Sequence, residues 1–325
     1  MTRLFIQIPC LNEAEYLPAA LQALPKKIEG IDSISILVID DGSTDETAKV
    51  AKANGADYIV KFSQNRGLAA AFSAGMDACL KLGADIIVNT DADNQYDASA
   101  IPALISPIID GRADVVVGDR DVLSVDEFSK LKQKLQKIGT KVVRVLSGVP
   151  VQDATSGFRA YSKDAALRIN LISRFTYTLE SLIQTGNASL GLENISVKRN
   201  DSVRPSRLFG STTQYVRKNG ISVLRLFLQY QPLKLFIPMS LTFFFLSVVA
   251  VIPWLVDSLN PPATPHIQST ILSAVFLIAS VQTFLVGILA DSMSSVRNLT
   301  NQGLERIRRI ELAVEVPPKL HPGSD

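Results

Sequence analysis

Asp91-Ala92-Asp93-Asn94-Gln95 sets two carboxylates at i and i+2, with a side-chain carbonyl two residues further on. Hard oxygen donors of this kind suit Mg2+ or Mn2+, which bind through a few carboxylates plus substrate phosphate oxygens. Asp-x-Asp alone is also an ordinary surface loop, so its context decides. The pair closes an apolar run, ADIIVNT, and three other polar clusters close similar runs: Pro9-Cys10-Leu11-Asn12-Glu13, Asp40-Asp41-Gly42-Ser43 and Gly118-Asp119-Arg120. Carboxylates gathered at one edge repel one another, so a cation or a polyol ligand is expected there. No Gly-x-Gly-x-x-Gly follows the first run and no Walker A sequence occurs, which weakens a dinucleotide or P-loop reading.

These clusters need elements to position them. Strands are predicted at Leu4–Ile8, Ser35–Ile39, Tyr58–Val60, Asp85–Asn89 and Val115–Gly118, and helices at Ala14–Ala23, Thr44–Ala53, Leu68–Leu82 and Ser99–Ile109. Ser43 and Glu46 have capping-box spacing at the second helix. Alternating β and α with apolar strands predicts an α/β fold, a parallel sheet covered on both faces, with ligands beyond the carboxyl ends of the strands.

The chain has 325 residues, 47% hydrophobic and 20% charged, with net charge +2. Its mean hydropathy is +0.21. That excludes a disordered chain and a strongly basic nucleic-acid binder, and it is too apolar for an average soluble enzyme. Cys10 and Cys79 lie in apolar contexts and fit buried small hydrophobes in a reducing compartment. The start, MTRLFIQIPCLNE, does not have the pattern of a signal peptide.

The excess apolar residues lie near the C-terminus. Leu233–Val256 and Ile267–Ala290 each suffice to cross a ~30 Å hydrocarbon core as a helix, which takes about 20 residues. The loop 257–266 carries no Lys or Arg, whereas Arg217, Lys218, Arg225 and Lys234 precede the pair and Arg297, Arg306, Arg308 and Arg309 follow it. The positive-inside rule puts both flanks on the cytoplasmic side. The expected organisation is a cytoplasmic domain over 1–210, a juxtamembrane helix over 211–232, spans at 233–256 and 267–290, and a cytoplasmic tail over 291–325. The juxtamembrane segment fits a helix on the membrane surface or one packed on the domain. The basic run Asp126–Gly148 fits a solvated face or one held to anionic headgroups. Asn65-Arg66-Gly67 fits a tight turn or a loop near a ligand.

At this point IPCLNE, VIDDGSTDET, NRGLAAAFSAG, TDADNQY, GDR and DATSGFRAY together resemble the family 2 glycosyltransferases of GT-A fold. More narrowly, they resemble the polyprenyl-phosphate glycosyltransferases: the dolichol-phosphate mannose synthases and the bacterial O-antigen-modifying glucosyltransferases. The resemblance covers about residues 4–210 and implies a Rossmann-like, mainly parallel sheet. It implies metal-dependent, inverting transfer of a sugar from a nucleotide-sugar to a polyprenyl phosphate at the inner (plasma) membrane, by a homo-oligomer. Pro9, Leu11 and Glu13 would line the nucleoside pocket, with Glu13 on the ribose. Asp40 or Asp41 would meet the base, with Asp41 preferred. Asp91, Asp93 and Gln95 would hold the diphosphate through Mg2+ or Mn2+, Ala92 would stand among the nucleotide-sugar contacts, and Arg120 would contact the acceptor phosphate. Asp153 matches a position proposed as catalytic base. A phosphate monoester with a second pKa of about 6 scarcely needs a base at neutral pH, so Asp153 is expected first as an organiser of Arg159 and the acceptor loop. Arg159 would order that loop or bind phosphate. Arg204 and Arg207 stand in a basic run that departs from the family pattern by lacking its glycine, and would meet the pyrophosphate.

Two competing readings are a polysaccharide synthase and a non-catalytic partner of a flippase. The sole tryptophan, Trp254, lies inside a span, which argues against the Gln-x-x-Arg-Trp acceptor motif of the synthases. The retained Asp91, Asp93 and Gln95 argue against an inert partner.

Overall fold

The computed structural model describes residues 1–120, 130–171, 177–198, 200, 225, 228–259 and 266–314, with the backbone alone for 130–138. Arg204, Arg207 and most of the juxtamembrane segment lie outside these residues. The chain divides into one compact unit of Met1–Ser222 with Asn301–Asp325, and a second of Val223–Thr300.

Among the described residues the first unit holds a seven-stranded sheet in the order β3-β2-β1-β4-β6-β5-β7. The strands are β1 (Arg3–Cys10), β2 (Ser33–Asp40), β3 (Tyr58–Lys61), β4 (Ile86–Asn89), β5 (Val115–Asp119), β6 (Arg159–Ser162) and β7 (Leu192–Ser196). Helices α1 (Leu17–Ala23), α2 (Thr47–Ala53), α3 (Leu68–Lys81) and α4 (Ile101–Ile109) follow β1 to β4 in turn. Helices α5 (Lys130–Ser147), α6 (Lys163–Arg168) and α7 (Tyr177–Asn187) complete the covering. β1 is buried from Leu4 to Cys10, as a central strand covered on both faces requires. Pro9 is tolerated there because β4 pairs with β1 only as far as Gln7↔Asn89, so no ladder donor is lost toward β4.

Two apolar clusters fill the two faces. One joins Leu4, Ile6 and Ile8 to Leu17, Leu104 and Phe158; the other joins Phe5, Leu37 and Ile39 to Phe72, Met76 and Tyr161. Helix α3 lies close to the sheet because it is built from small residues. A Cβ on Gly75 would stand 2.3 Å from Gln7 Oε1 and 2.7 Å from Ile39 Cδ1. Cys10 and Cys79 are buried and free.

The five predicted strands and four predicted helices are present, with three differences. First, β6 runs antiparallel to both β4 and β5. Neither β6 nor β7 was expected, since both are short and β6 begins on an arginine. Second, α1 starts at Leu17 rather than Ala14, because the Glu13 carbonyl accepts from both Tyr16 N and Leu17 N and closes a separate turn first. Third, the Ser43/Glu46 capping box does not form. The Ser43 amide donates to Asp40 Oδ1 at 2.8 Å, Asp45 receives the Thr47 amide at 3.0 Å, and α2 starts at Thr47.

In the second unit, α8 (Leu233–Leu259) and the first part of α9 (Ile267–Ala313) are long and apolar enough to cross a membrane. Large side chains such as Leu241, Phe245 and Leu289 are more than half exposed, while Ser240, Ser247 and Ser280 are buried. The serines bond reciprocally. Ser240 Oγ donates to Ser280 O and Ser280 Oγ to Ser240 O, both at 3.0 Å; Ser247 and Ser273 do the same at 2.9 Å. Small residues and cross-helix hydroxyl bonds are what hold helices together where no hydrophobic force acts between them.

The first part of the 291–325 segment is helical and continues the second apolar segment without a break, as the end of α9. Its last turns belong to the first unit, where Glu311 pairs with Lys81 at 3.1 Å and Arg309 with Asp164. Leu312 packs against the second apolar cluster.

Candidate active site

β2 and β3 lie to one side of β1, and β4 lies to the other. The chain therefore reverses its winding direction at the β1/β4 boundary, where open α/β sheets bind ligands beyond the carboxyl ends of the strands. The loops after β1, β2 and β4 meet there.

The first two loops are sewn together. Asn12, at φ 54°, accepts the Thr44 amide at 2.8 Å, and its own amide donates to Ser43 Oγ at 2.9 Å. The Glu13 amide donates to Thr47 Oγ1 at 2.9 Å. Asp40 and Asp41 are both buried. Asp40 holds the Ser43 amide and lies 3.8 Å from Lys61 Nζ. Asp41 accepts the Arg66 and Gly67 amides at 2.7 and 2.9 Å, one on each oxygen. Asn65-Arg66-Gly67 is thus a turn gripped by Asp41 at the start of α3. Leu11 stays 38% exposed in this crevice, while Pro9 is buried.

Behind the acidic loop runs a buried polar chain. Gln7 Nε2 donates to Asn89 Oδ1 at 2.9 Å; Asn89 Nδ2 donates to Gly157 O at 2.8 Å and to Tyr177 Oη at 3.2 Å. In front of it, Asp91 and Asp93 retain partial exposure, while Ala92 is buried in the core. Burial, and then repulsion from Asp93, push the Asp91 carboxyl up to about 6, with Arg120 and the Tyr96 hydroxyl acting against the rise. Gln95 braces Asp93: its side-chain amide donates to Asp93 Oδ2 at 2.7 Å, leaving the carbonyl oxygen available to a cation. Among the described residues no three His, Cys, Asp or Glu side chains converge. The chain therefore offers two carboxylates and an amide oxygen. A carboxylate whose ionisation its neighbour opposes, as Asp93 opposes that of Asp91, fits a hard divalent cation that completes its shell with other oxygens.

β6 runs against its neighbours, so the loop before it, 153–158, arrives at the same edge. Gly157 allows the close approach. A Cβ there would stand 2.6 Å from Tyr177 Oη and 3.1 Å from both Asp91 carboxylate oxygens. Asp153 is 3% exposed and pairs with Arg120, not with Arg159. Arg120 Nε donates to its Oδ2 at 2.7 Å and Nη2 to its Oδ1 at 3.1 Å; the Thr155 and Ser156 amides also donate to Oδ1. Burial opposes the Asp153 charge, but Arg120 and Thr155 outweigh it and hold the carboxyl below the usual range. Burial likewise opposes the Arg120 charge, and Tyr96, Asp153 and Asp91 more than restore it.

Arg159 is fully buried on β6. It donates to Thr178 O and Ser181 Oγ, each at 2.8 Å, and to Ala154 O at 3.0 Å. These bonds tie the 153–158 loop to α7 through the Ala154 carbonyl. With no surface to present, Arg159 is not placed to bind an acceptor phosphate.

Tyr96, Asn200, Asn89 and Gln7 were not singled out from the sequence. Gln7 and Asn89 each leave a signal, a polar residue interrupting an apolar run. Tyr96 directly follows the acidic motif. Asn200 leaves none, and its role appears only in space. Its side-chain amide donates to Asn94 O at 2.9 Å and Tyr96 O at 3.3 Å, and its main-chain amide donates to Gln95 O at 3.0 Å.

The Glycosyl transferase family 2 model matches residues 5–169, a stretch that contains β1 from Phe5 onward, β2 to β6 and every site residue just described except Tyr177, Asn200 and the α7 partners of Arg159. The chain belongs to glycosyl transferase family 2. A second model, the GtrB C-terminal hairpin, matches residues 231–296 of this glycosyltransferase. Glycosyltransferase AglJ of Haloferax volcanii is 26% identical over 319 residues, 94% of this chain and 96% of its own. The UDP-N-acetylglucosamine–dolichyl-phosphate N-acetylglucosaminyltransferase of Methanococcus voltae is 29% identical over 217 residues, 60% of this chain and 84% of its own. The polyprenol monophosphomannose synthase of Mycolicibacterium smegmatis is 31% identical over 176 residues, 52% of this chain and 65% of its own. Among solved structures, glucosyl-3-phosphoglycerate synthase from Mycobacterium tuberculosis, in complex with Mn2+, UDP and phosphoglyceric acid, shares the fold. Its TM-score is 0.53 at 19% identity, over 68% of this chain and 78% of that one.

Proposed function

We propose that this glycosyltransferase moves a sugar from a UDP- or GDP-linked donor to a polyprenyl phosphate, with inversion at the anomeric carbon and dependence on Mg2+ or Mn2+. The transfer takes place at the cytoplasmic face of the inner membrane. The observation that carries the reading is the pairing of two unlike charge centres at one sheet edge: the Asp91/Asp93 loop, and Arg120 held by Asp153 beside it. The apolar hairpin and the lipid-phosphate acceptors in the names of two relatives support the choice of acceptor.

Asp91 and Asp93, with the Gln95 carbonyl, would hold the cation, which supplies charge neutralisation on a leaving diphosphate. Pro9, Leu11, Glu13 and the Asp40–Ser43 loop lie where a nucleoside fits. Asp40 and Asp41 shape that pocket by fixing the amides of Ser43, Arg66 and Gly67. Arg120 presents its charge to the acceptor phosphate. A phosphate monoester, with a second pKa of about 6, is mostly dianionic at neutral pH and can attack without a base. Asp153, with its carboxylate taken up by Arg120, Thr155 and Ser156, acts by orienting Arg120. A single displacement inverts the anomeric centre. Arg204 and Arg207 would meet the diphosphate.

The test is to incubate the purified full-length protein in detergent with polyprenyl phosphate, Mg2+ or Mn2+, and labelled UDP-glucose, UDP-N-acetylglucosamine and GDP-mannose. Label is expected in the lipid fraction from one donor, absent in EDTA, with the opposite anomeric configuration. No lipid-linked label from any nucleotide-sugar, or full turnover in chelator, would overturn the reading.

A further inference from the structure

We propose that Tyr96 is a positioning residue that holds the carboxylate of Asp91 and the guanidinium of Arg120 in one register. The inference rests on the reading in which Asp91 helps bind a cation and Arg120 meets the acceptor phosphate.

Tyr96 is 4% exposed. Its ring stacks on Phe158, with centroids 5.1 Å apart and planes at 20°, so it cannot swing away. Arg120 Cζ lies 5.8 Å from the centroid of the same ring, at the outer limit for a cation resting on an aromatic face. The hydroxyl accepts the Gly157 amide proton at 2.9 Å. A phenol has one proton to give, and with Gly157 as donor that proton is left for an acceptor. Asp91 is the acceptor at hand: both of its oxygens stand 3.1 Å from the Cβ that Gly157 lacks, beside the amide that the hydroxyl holds. One side chain therefore stands between both halves of the site, the hydroxyl on the Asp91 side and the ring on the Arg120 side.

The main chain at this point is held separately. Asn200 binds the carbonyls of Asn94, Gln95 and Tyr96, so the loop keeps its path when the hydroxyl alone is removed. The two roles can thus be separated by two substitutions. Tyr96→Phe keeps the ring and removes the hydroxyl. Tyr96→Leu removes both.

The experiment uses full-length protein in detergent. Mn2+ uptake is followed by the EPR signal of free Mn2+, in the presence of UDP and, in parallel, of GDP. Binding of citronellyl phosphate, a short soluble prenyl phosphate, is followed by calorimetry. Tyr96→Phe is expected to weaken Mn2+ binding about tenfold, the usual loss when a partner of a metal ligand is removed, and to leave citronellyl phosphate binding within about twofold. Tyr96→Leu is expected to weaken both. Mn2+ binding by Tyr96→Phe equal to that of the unsubstituted protein would overturn the inference alone. So would an equal loss of both ligands in Tyr96→Phe, which marks general disruption. Failure of the unsubstituted protein to take up Mn2+ with either nucleotide would overturn the metal reading and this inference with it.

Discussion

Asp153 and Arg120 are 33 residues apart in sequence and form a two-point ion pair across the β5/β6 edge, on a carboxylate that is almost fully buried. The pair fixes the plane of the guanidinium, which no single contact could do.

The first prediction follows from that plane. Asp153→Asn keeps the shape but gives up the charge and one of the two acceptors, so Arg120 loses its orientation. Activity toward polyprenyl phosphate should fall about 100-fold, the scale of a misplacement near 1 Å, with UDP or GDP binding retained. Acceptor-dependent kinetics and nucleotide calorimetry on the same preparation check it. Full turnover in the variant would show that the pair does not matter to transfer.

Acid should reveal the same pair through stability. The Asp153 carboxyl sits below its ordinary value of about 3.9, so its contribution is fully present above that pH and is lost as pH falls through the depressed folded-state value. The melting temperature of the unsubstituted protein should therefore drop more steeply below about pH 4 than that of Asp153→Asn. Thermal melts across pH 3 to 6 test the difference in slope.

Asp93 raises the cost of ionising Asp91, so removing its charge relieves a repulsion while deleting a donor to the proposed cation. Asp93→Asn should lose at least about 100-fold in Mn2+-dependent transfer, as the loss of a direct metal contact implies. Its melting temperature, measured without metal near neutral pH, should equal or exceed that of the unsubstituted protein. A marked drop in stability would mean that Asp93 serves the fold rather than the site.

Gly157 is a place where a single methyl reports on the site. A Cβ would meet Tyr177 Oη at 2.6 Å and both Asp91 oxygens at 3.1 Å, so Asp91 or the 153–158 loop must move. Gly157→Ala should cost about 1–3 kcal/mol of stability, typical of overpacking, and raise the Mn2+ concentration needed for half-maximal transfer. Denaturant melts and a metal titration of activity measure the two effects.

The left half of the sheet is legible from sequence because each of β1 to β4 is an apolar run closed by a polar cluster, and each is followed by a helical pattern. The acidic loop is legible for the same reason. Arg159 is harder, because a charged residue at the head of a strand reads as surface, and only the three acceptors from Ala154, Thr178 and Ser181 make its burial tolerable. The partner of Asp153 could not be read either. Arg159 is six residues away in sequence, but Arg120 is the neighbour once β6 inserts beside β5. Strand reversal is a tertiary choice that local pattern does not encode. The failed capping box has a similar cause: Ser43 has the right spacing, but the buried Asp40 claims its amide first.

The reversal of β6 has a consequence for how such an enzyme can diversify. The acids sit on a loop that leaves a strand, whereas Asp153 and Gly157 sit on one that enters a strand, and the two segments are joined by side chains rather than by continuous backbone. Length can therefore be added ahead of Asp153 only as far as Gly157 keeps its close approach to Asp91. The two loops are, in this architecture, pinned together at one glycine and free to vary on either side of it.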